Sequence, residues 1–539
     1  MQASDPTGFG LFVRQTPKPS LIPALLALLA GALQAASLAW PFSQPVAWAP
    51  ERGQTLWWLQ LLALALLVQL LLGSASARQA AGRAWLFALA WLALTFGWLF
   101  TSMHTYGGLA APLAVLAVLA LAGALALYYA GICWFFKALA QAGRGLSAII
   151  FASLWLLAEL ARGQWLSGFG WGAIGYAQLD GPLVPLIGWV GLYGVSAVAA
   201  AVAALLALTL SAPSWSARLR CAAAALVLLV LPQILPQVLS AAPGADHGSI
   251  QVTLLQGNIA QDEKFEQGTG VPKALNWYRT QLSAAPDRAG GLITPETAVP
   301  LLPEDLPQGY WQALAQRFES GQTAALVGVP LGNSKLGYTN SVVGFKPGQA
   351  TPWRYDKHHL VPFGEFIPPF FRWFTKLMNI PLGDFNRGGL QQPAFEWQGQ
   401  RLATSICYEN LFTEELATQF ANPALAPTLL VNISNLGWFG EHLAMDQHLQ
   451  IARMRSLEFD RSFLLATNTG HTAIVNHLGQ VTHAAKPHAV TTLIAQVQGR
   501  TGITPYAGWV ARFGLWPLWL LALAVMVVAG LGQKQQRRP

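Results

Sequence analysis

Charge is what this chain most lacks. Charged residues make up 10% of it, against about 25% in ordinary soluble domains, while 53% is hydrophobic. A protein soluble throughout is excluded by that balance. The few acids are also segregated: of 24, only Asp5, Glu51, Glu159 and Asp180 precede residue 241. Two chemically different objects are joined in series. Cysteine is equally scarce, with Cys133 and Cys221 inside apolar runs and Cys407 alone in the polar part. That count and placement exclude a disulfide framework. Missing too is any excess of positive charge on the polar part. The net +8 resolves into +6 over residues 1–240, −1 over 241–532 and +3 over the tail. A nearly neutral domain is no nucleic-acid footprint, so no nucleic-acid partner is expected.

What is present is length of apolar sequence. A helix needs about 20 apolar residues to cross the bilayer core. Runs of that kind lie at 20–40, 55–74, 84–103, 109–136, 145–161, 184–211 and 219–240, with an eighth at 513–532. The first is long and has no small-residue cleavage site, so it reads as a retained span. Lys and Arg in the short loops set the orientation. With the N-terminus inside, eleven fall on the cytoplasmic side, and only Arg52 and Arg162 fall on the other. The expected organisation is a membrane domain of seven helices at 1–240, an external domain at 241–512, and an eighth helix with a cytoplasmic tail at 513–539.

The external part reads as α/β. Strand-like runs such as "SIQVTLLQ", "AALVGVP", "LATSICYE" and "PTLLVNIS" alternate with helical stretches near 272–284, 309–319, 413–421 and 442–459. That interleaving indicates a sheet covered by helices. Cys407 closes one such strand, just before an acidic helix start. Most free cysteines are small buried hydrophobes. A strand-to-helix junction, however, exposes its side chain and offers backbone N–H groups for an oxyanion. A thiol also needs a base. No histidine stands near it in sequence, but two other strand ends carry ionisable groups: Glu296 in "LITPETAVP", and Lys357 with Glu365 in "WRYDKHHLVPFGEF". The histidines, including His358, His359, His442 and His448, lack the spacing that orients metal ligands. No metal and no cofactor are expected.

These motifs, "PET", "YDKHHLVPFGE" and "CYE", resemble the Glu–Lys–Cys triad of the nitrilase (carbon–nitrogen hydrolase) superfamily. Within it the chain is similar to the membrane-embedded apolipoprotein N-acyltransferase family of Gram-negative inner membranes. Further support comes from "LLQGNIAQDEKF", "VNISNLGWFG", "QHLQIARMRSLEFDRSFLLATNTGHTA" and "SGFGWGAIGYAQLDGP". The resemblance covers essentially the whole chain. It implies eight spans plus a periplasmic αββα sandwich, with both termini cytoplasmic.

It also implies roles. Cys407 is the acylated nucleophile, Glu296 the general base and Lys357 the oxyanion stabiliser, with the Tyr408 backbone N–H as a second donor. Glu365, Tyr408 and Glu409 brace the triad. The implied reaction moves an acyl chain from a phospholipid, through a thioester, to the amino-terminal diacylglyceryl-cysteine of an apolipoprotein. Phospholipid, diacylated apolipoprotein and membrane lipid are the expected partners of a monomer. An amidase in which water resolves the thioester is the alternative, and a transporter or receptor with an external binding domain a more distant one. Glu159 is the chief mid-span charge, which is poor material for an ion path.

Two positions depart from the family's pattern: Phe265 stands where Trp is common, and Leu436 where an acid is frequent. The aromatic run from Phe366 to Phe374, with Phe371 and Trp373, suits an arm lying in the membrane interface. Together with Phe265 and Trp438 it is expected to meet substrate or lipid.

Overall fold

The computed structural model describes residues 21–44, 46–139, 146–238, 244–284, 290–368 and 385–536. Each of the eight apolar runs is helical within it. The helices are Ile22–Leu38, Trp57–Leu72, Ala77–Thr95, Ala111–Leu139, Leu146–Gln164, Ile187–Ser211, Trp215–Val238 and Trp516–Gln536. By length and composition four of the described helices suffice to cross a membrane, or six if two bent pairs each count as one span. The remaining two, of 17 and 16 residues, rise only about 25 Å, less than the ~30 Å hydrocarbon core.

One bent pair joins Ala77–Thr95 to Leu99–Tyr106 at 62°, and the other joins Pro505–Phe513 to Trp516–Gly532 at 87°. The sharper bend turns on Gly514, whose φ of +56° is cheap only without a Cβ. Close helix approach follows from small residues at four-residue spacing. Ala80, Ala84 and Ala88 are wholly buried, as are Ala114, Ala122 and Ala126 on the helix that packs against them. Lipid tails are as apolar as leucine, so such close packing carries the association of membrane helices.

The few intramembrane charges hold the chain where it leaves helical form. Arg162 donates from Nη1 to the carbonyls of Phe169 and Trp171 at 2.6 and 2.7 Å. Glu159 accepts the Ile174 N–H at 2.9 Å. Buried irregular backbone must have its polar groups satisfied, and this pair does so for Phe169, Trp171 and Ile174.

The polar part is built on two six-stranded sheets. The first runs in the order β12 (Thr491–Arg500), β1 (Asp246–Gln256), β2 (Gly291–Ile293), β3 (Ala324–Asn333), β4 (Gly337–Phe345), β5 (Trp353–Asp356). The second runs β11 (Val481–Ala484), β10 (Ala473–Val475), β9 (Ser462–Thr467), β8 (Leu429–Ser434), β7 (Gln400–Ile406), β6 (Phe395–Trp397). Each has a parallel centre, β1–β2–β3 or β7–β8–β9, flanked by antiparallel strands.

Side-chain alternation sorts the core into layers. Ile250, Val252 and Leu254 meet Leu429, Val431, Ile433 and Leu464 between the sheets. Outside the first sheet, Leu255 and Val327 pack under the helices Gly270–Ala284 and Tyr310–Glu319. Outside the second, Leu430 and Phe463 pack with the helix Ala444–Phe459 and with Leu160 and Tyr193 of the membrane part. One face of the sandwich is thus covered partly by membrane helices. The parallel strands of both sheets deliver their carboxyl ends, and the loops after them, to one place.

Candidate active site

Cys407 follows β7 directly. Leu402 and Ile406 of that strand are locked between the sheets, so the chain must turn abruptly once the strand ends. It does so at Cys407 itself, with φ +52°, a left-handed conformation that costs a non-glycine residue roughly 1–3 kcal/mol. Glu409 holds the turn. Its carboxylate accepts the N–H groups of Ile406 at 2.6 Å, His358 at 2.6 Å and His359 at 3.1 Å, and the Tyr355 hydroxyl at 2.9 Å. One carboxylate therefore ties the Cys407 loop to the segment carrying Lys357. Burial pushes the Glu409 carboxyl up, while these N–H donors and Lys357 pull it down.

Lys357 follows β5 and is 1% exposed; Glu296 follows β2. The Lys357 Nζ lies 2.9 Å from Glu365 Oε1 and 3.5 Å from Glu296 Oε1. Asn340, from the middle of β4, donates to the same two oxygens at 2.8 and 2.7 Å. Glu296 Oε2 accepts the Asn435 N–H at 2.9 Å, just beyond β8. Burial opposes the Lys357 charge, yet Glu365, Glu296 and Cys407 outweigh it and hold the ammonium well above the ordinary lysine value. Cys407 keeps part of its surface open. The protein crowded around it still desolvates the thiol and pushes it up; Glu296 and Glu365 add to that, against Lys357 and the Asn435 N–H. A thiol pushed up in this way becomes nucleophilic when a base removes its proton.

The structure brings Cys407, Glu296, Lys357, Glu365 and Glu409 together. Tyr408 points away from the polar site: its hydroxyl donates to the Gly168 carbonyl of the membrane part at 2.9 Å. Trp438 stands edge-on to Tyr106 at 5.8 Å, and its neighbour Phe439 packs on Trp98 at 4.4 Å. Phe265 is 51% exposed. Phe371 and Trp373 lie outside the described residues. Among the described residues no cluster of three or more metal-ligating side chains occurs.

Four residues went unassigned in the sequence. Asn340 and Asn435 fix the carboxylates as described. Lys264, 2% exposed, donates to the Glu296 backbone carbonyl at 3.1 Å. His448 lies behind the Cys407 loop with Nε2 3.1 Å from Asn410 Nδ2. Burial lowers His448 to about 4, against a hydrogen bond with the Cys407 backbone, and leaves its imidazole a weak base. A lone asparagine opening the apolar run "NSVVGF" was the one available signal for Asn340. His448 and Asn435 sat in quoted stretches, but nothing in their spacing pointed at Cys407.

Residues 36–205 match the family model described as apolipoprotein N-acyltransferase N-terminal domain, and residues 251–506 match the carbon–nitrogen hydrolase model. An apolipoprotein N-acyltransferase of Verminephrobacter eiseniae is 52% identical, the match covering 91% of this chain and 92% of that one. Its counterpart from Ralstonia nicotianae is 42% identical over 86% and 87%. The one from Bordetella bronchiseptica is 39% identical over 89% and 93%.

Proposed function

The chain belongs to the apolipoprotein N-acyltransferase family, and from that membership we propose that Cys407 carries an acyl group from a membrane phospholipid to an apolipoprotein. The protein is an acyltransferase of lipoprotein maturation. In the first half-reaction the Glu296 carboxylate takes the Sγ proton, and the thiolate attacks an ester carbonyl carbon of the phospholipid. Lys357 and the Tyr408 N–H stabilise the tetrahedral oxyanion. Its collapse expels lysophospholipid, whose oxygen leaves with the proton from Glu296, and a thioester remains on Cys407. In the second half-reaction the amino group of the diacylglyceryl-cysteine attacks the thioester. Glu296 takes the amine's proton, the sulfur leaves and is reprotonated, and an amide has formed.

The observation that supports this reading is the meeting of Glu296, Lys357 and Cys407 at strand ends that also touch the membrane part. Tyr408, Leu411 and Phe412, next to the nucleophile, belong to the same apolar cluster as Phe96, Trp98 and Trp171. A donor lying in lipid has a short path to sulfur placed there. The same reading assigns eight spans, domains at 1–240, 241–512 and 513–539, and an αββα catalytic domain on the periplasmic side of a Gram-negative inner membrane. Both termini are cytoplasmic and the enzyme is a monomer. Eleven basic residues against two in the short loops support that orientation.

A labelled-phospholipid chase tests the chemistry. Acyl-protein is formed first and isolated, and a lipopeptide with a free amino terminus is then added. Label should pass to the amine with little free fatty acid. Cys407→Ser and Glu296→Gln should accumulate almost no acyl-protein. Rapid release as fatty acid, whether or not amine is added, makes water the acceptor and returns the protein to amidase chemistry.

A further inference from the structure

We propose that Lys264 is a positioning residue for this site, supplying a second buried positive charge that lets the Cys407 proton move to Glu296. The inference rests on Cys407 and Glu296 being nucleophile and base. Lys264 lies in the turn after β1 and is 2% exposed, while its neighbours face outward. Glu263 reaches Lys273 at 3.8 Å with both side chains half exposed. Phe265 is 51% exposed, and its ring centre lies 5.8 Å from the Lys264 ammonium. A lysine turned inward between two outward residues is not covering surface; its charge has been taken out of water at a cost.

The ammonium donates to the backbone carbonyl of Glu296 at 3.1 Å. The same contact fixes where the base's main chain sits and brings the charge within electrostatic reach of its carboxylate. Charge balance shows what it does there. Glu409 is held by its own N–H and hydroxyl donors in either state. Of the rest, before proton transfer, Glu296 and Glu365 carry two negative charges against Lys357 and Lys264. When the S–H bond breaks and the proton joins Glu296, the negative charges are the thiolate and Glu365, and the two lysines still balance them. Without Lys264 either state carries an uncompensated buried charge, which the site relieves by taking a proton from solvent; Glu296 protonated in that way is no base, and the proton stays on sulfur.

The groups that face Lys264 electrostatically are Glu296 and Cys407, with Lys357 and Glu365 beyond Glu296. Burial lowers the Lys264 ammonium to about 8, against the opposing pull of Glu296 and Cys407. It is therefore a cation below that pH and a neutral amine above it. Its support for the thiolate is present below about pH 8 and fades above.

Alkylation of Cys407 by iodoacetamide reports the thiolate without any lipid substrate. The full-length protein and its Lys264→Met and Lys264→Arg variants are compared in detergent between about pH 6.5 and 9.5, with peptide mass locating the adduct. Lys264→Met should react about ten-fold more slowly near neutral pH, the effect of one pKa unit on the thiol. It should converge on the wild type at the alkaline end. Lys264→Arg, which stays charged, should match the wild type at neutral pH and exceed it above pH 8. A deficit of the same size at every pH, no deficit, or an arginine variant as slow as the methionine variant at neutral pH overturns the proposal. If Lys264→Met does not fold, the comparison of arginine with lysine above pH 8 decides alone. Failure of the phospholipid chase with this alkylation pattern intact would sink the acyl-transfer reading and leave Lys264 in its role.

Discussion

Glu409 illustrates how much one side chain can hold. Its two oxygens collect three backbone N–H groups and a tyrosine hydroxyl, and hydrogen bonds to a charged group are worth about 1.5–3 kcal/mol each. Glu409→Gln keeps the shape but turns an NH₂ toward N–H donors. It should destabilise the fold by about 2–4 kcal/mol and slow Cys407 acylation more than it weakens donor binding. Thermal unfolding and acyl-enzyme formation, measured side by side, check both. Little change in either would make the brace dispensable. At this scale the meeting of Glu296, Lys357 and Cys407, the proposed triad, was legible because each follows a strand and sits in a distinctive motif. Lys264, Asn340 and Asn435 were not, because their partners come from loops 32, 44 and 139 positions away. Proximity of that kind exists only once both sheets have formed.

Among the elements, the turn at 165–170 decides whether the catalytic loop has a floor. Gly168 has φ +71°, and a Cβ there would lie 2.1 Å from the Gly163 carbonyl and 3.0 Å from the Phe412 ring. Gly168→Ala should therefore shift the carbonyl that receives the Tyr408 hydroxyl. Acyl-enzyme formation should fall more than ten-fold, by analogy with small displacements at reacting centres. Tyr408→Phe, which removes only the hydrogen bond, should cost about 1 kcal/mol and far less activity. Equal effects from the two variants, assayed by labelled-phospholipid uptake, would mean that backbone strain plays no part.

The long strands β1, β3, β4, β7, β8 and β9 could be read from their apolar runs. β5, β6, β10 and β11 are three or four residues each, too short for periodicity to register. β12 has a burial pattern that alternates over much of its length, with Ile494 among its exposed residues. The apolar helices were equally plain, but the 87° bend at Gly514 leaves no mark in hydropathy.

For the whole molecule, orientation has a consequence that fusions can read. A reporter fused after residue 245 should behave as periplasmic and one after residue 535 as cytoplasmic, read by paired alkaline phosphatase and fluorescent-protein fusions. Both on one side would mean an odd error in the count of crossings. What hydropathy did not convey is how the two parts meet. The indole N–H groups of Trp98 and Trp171 both donate to Gln447, the Leu192 N–H donates to Glu458, and Arg453 pairs with Asp180 at 2.6 Å. Each contact joins residues hundreds of positions apart, so no local pattern announces it. The packing of Tyr408, Leu411 and Phe412 into the apolar helix cluster also bears on the enzyme's shelf life outside a bilayer. The proposed nucleophile is seated on those helices, so purification chemistry reaches Cys407. A harsh micelle that lets those helices drift should shorten the half-life of turnover while the sandwich keeps its circular dichroism, and added lipid should restore turnover even where substrate is already saturating.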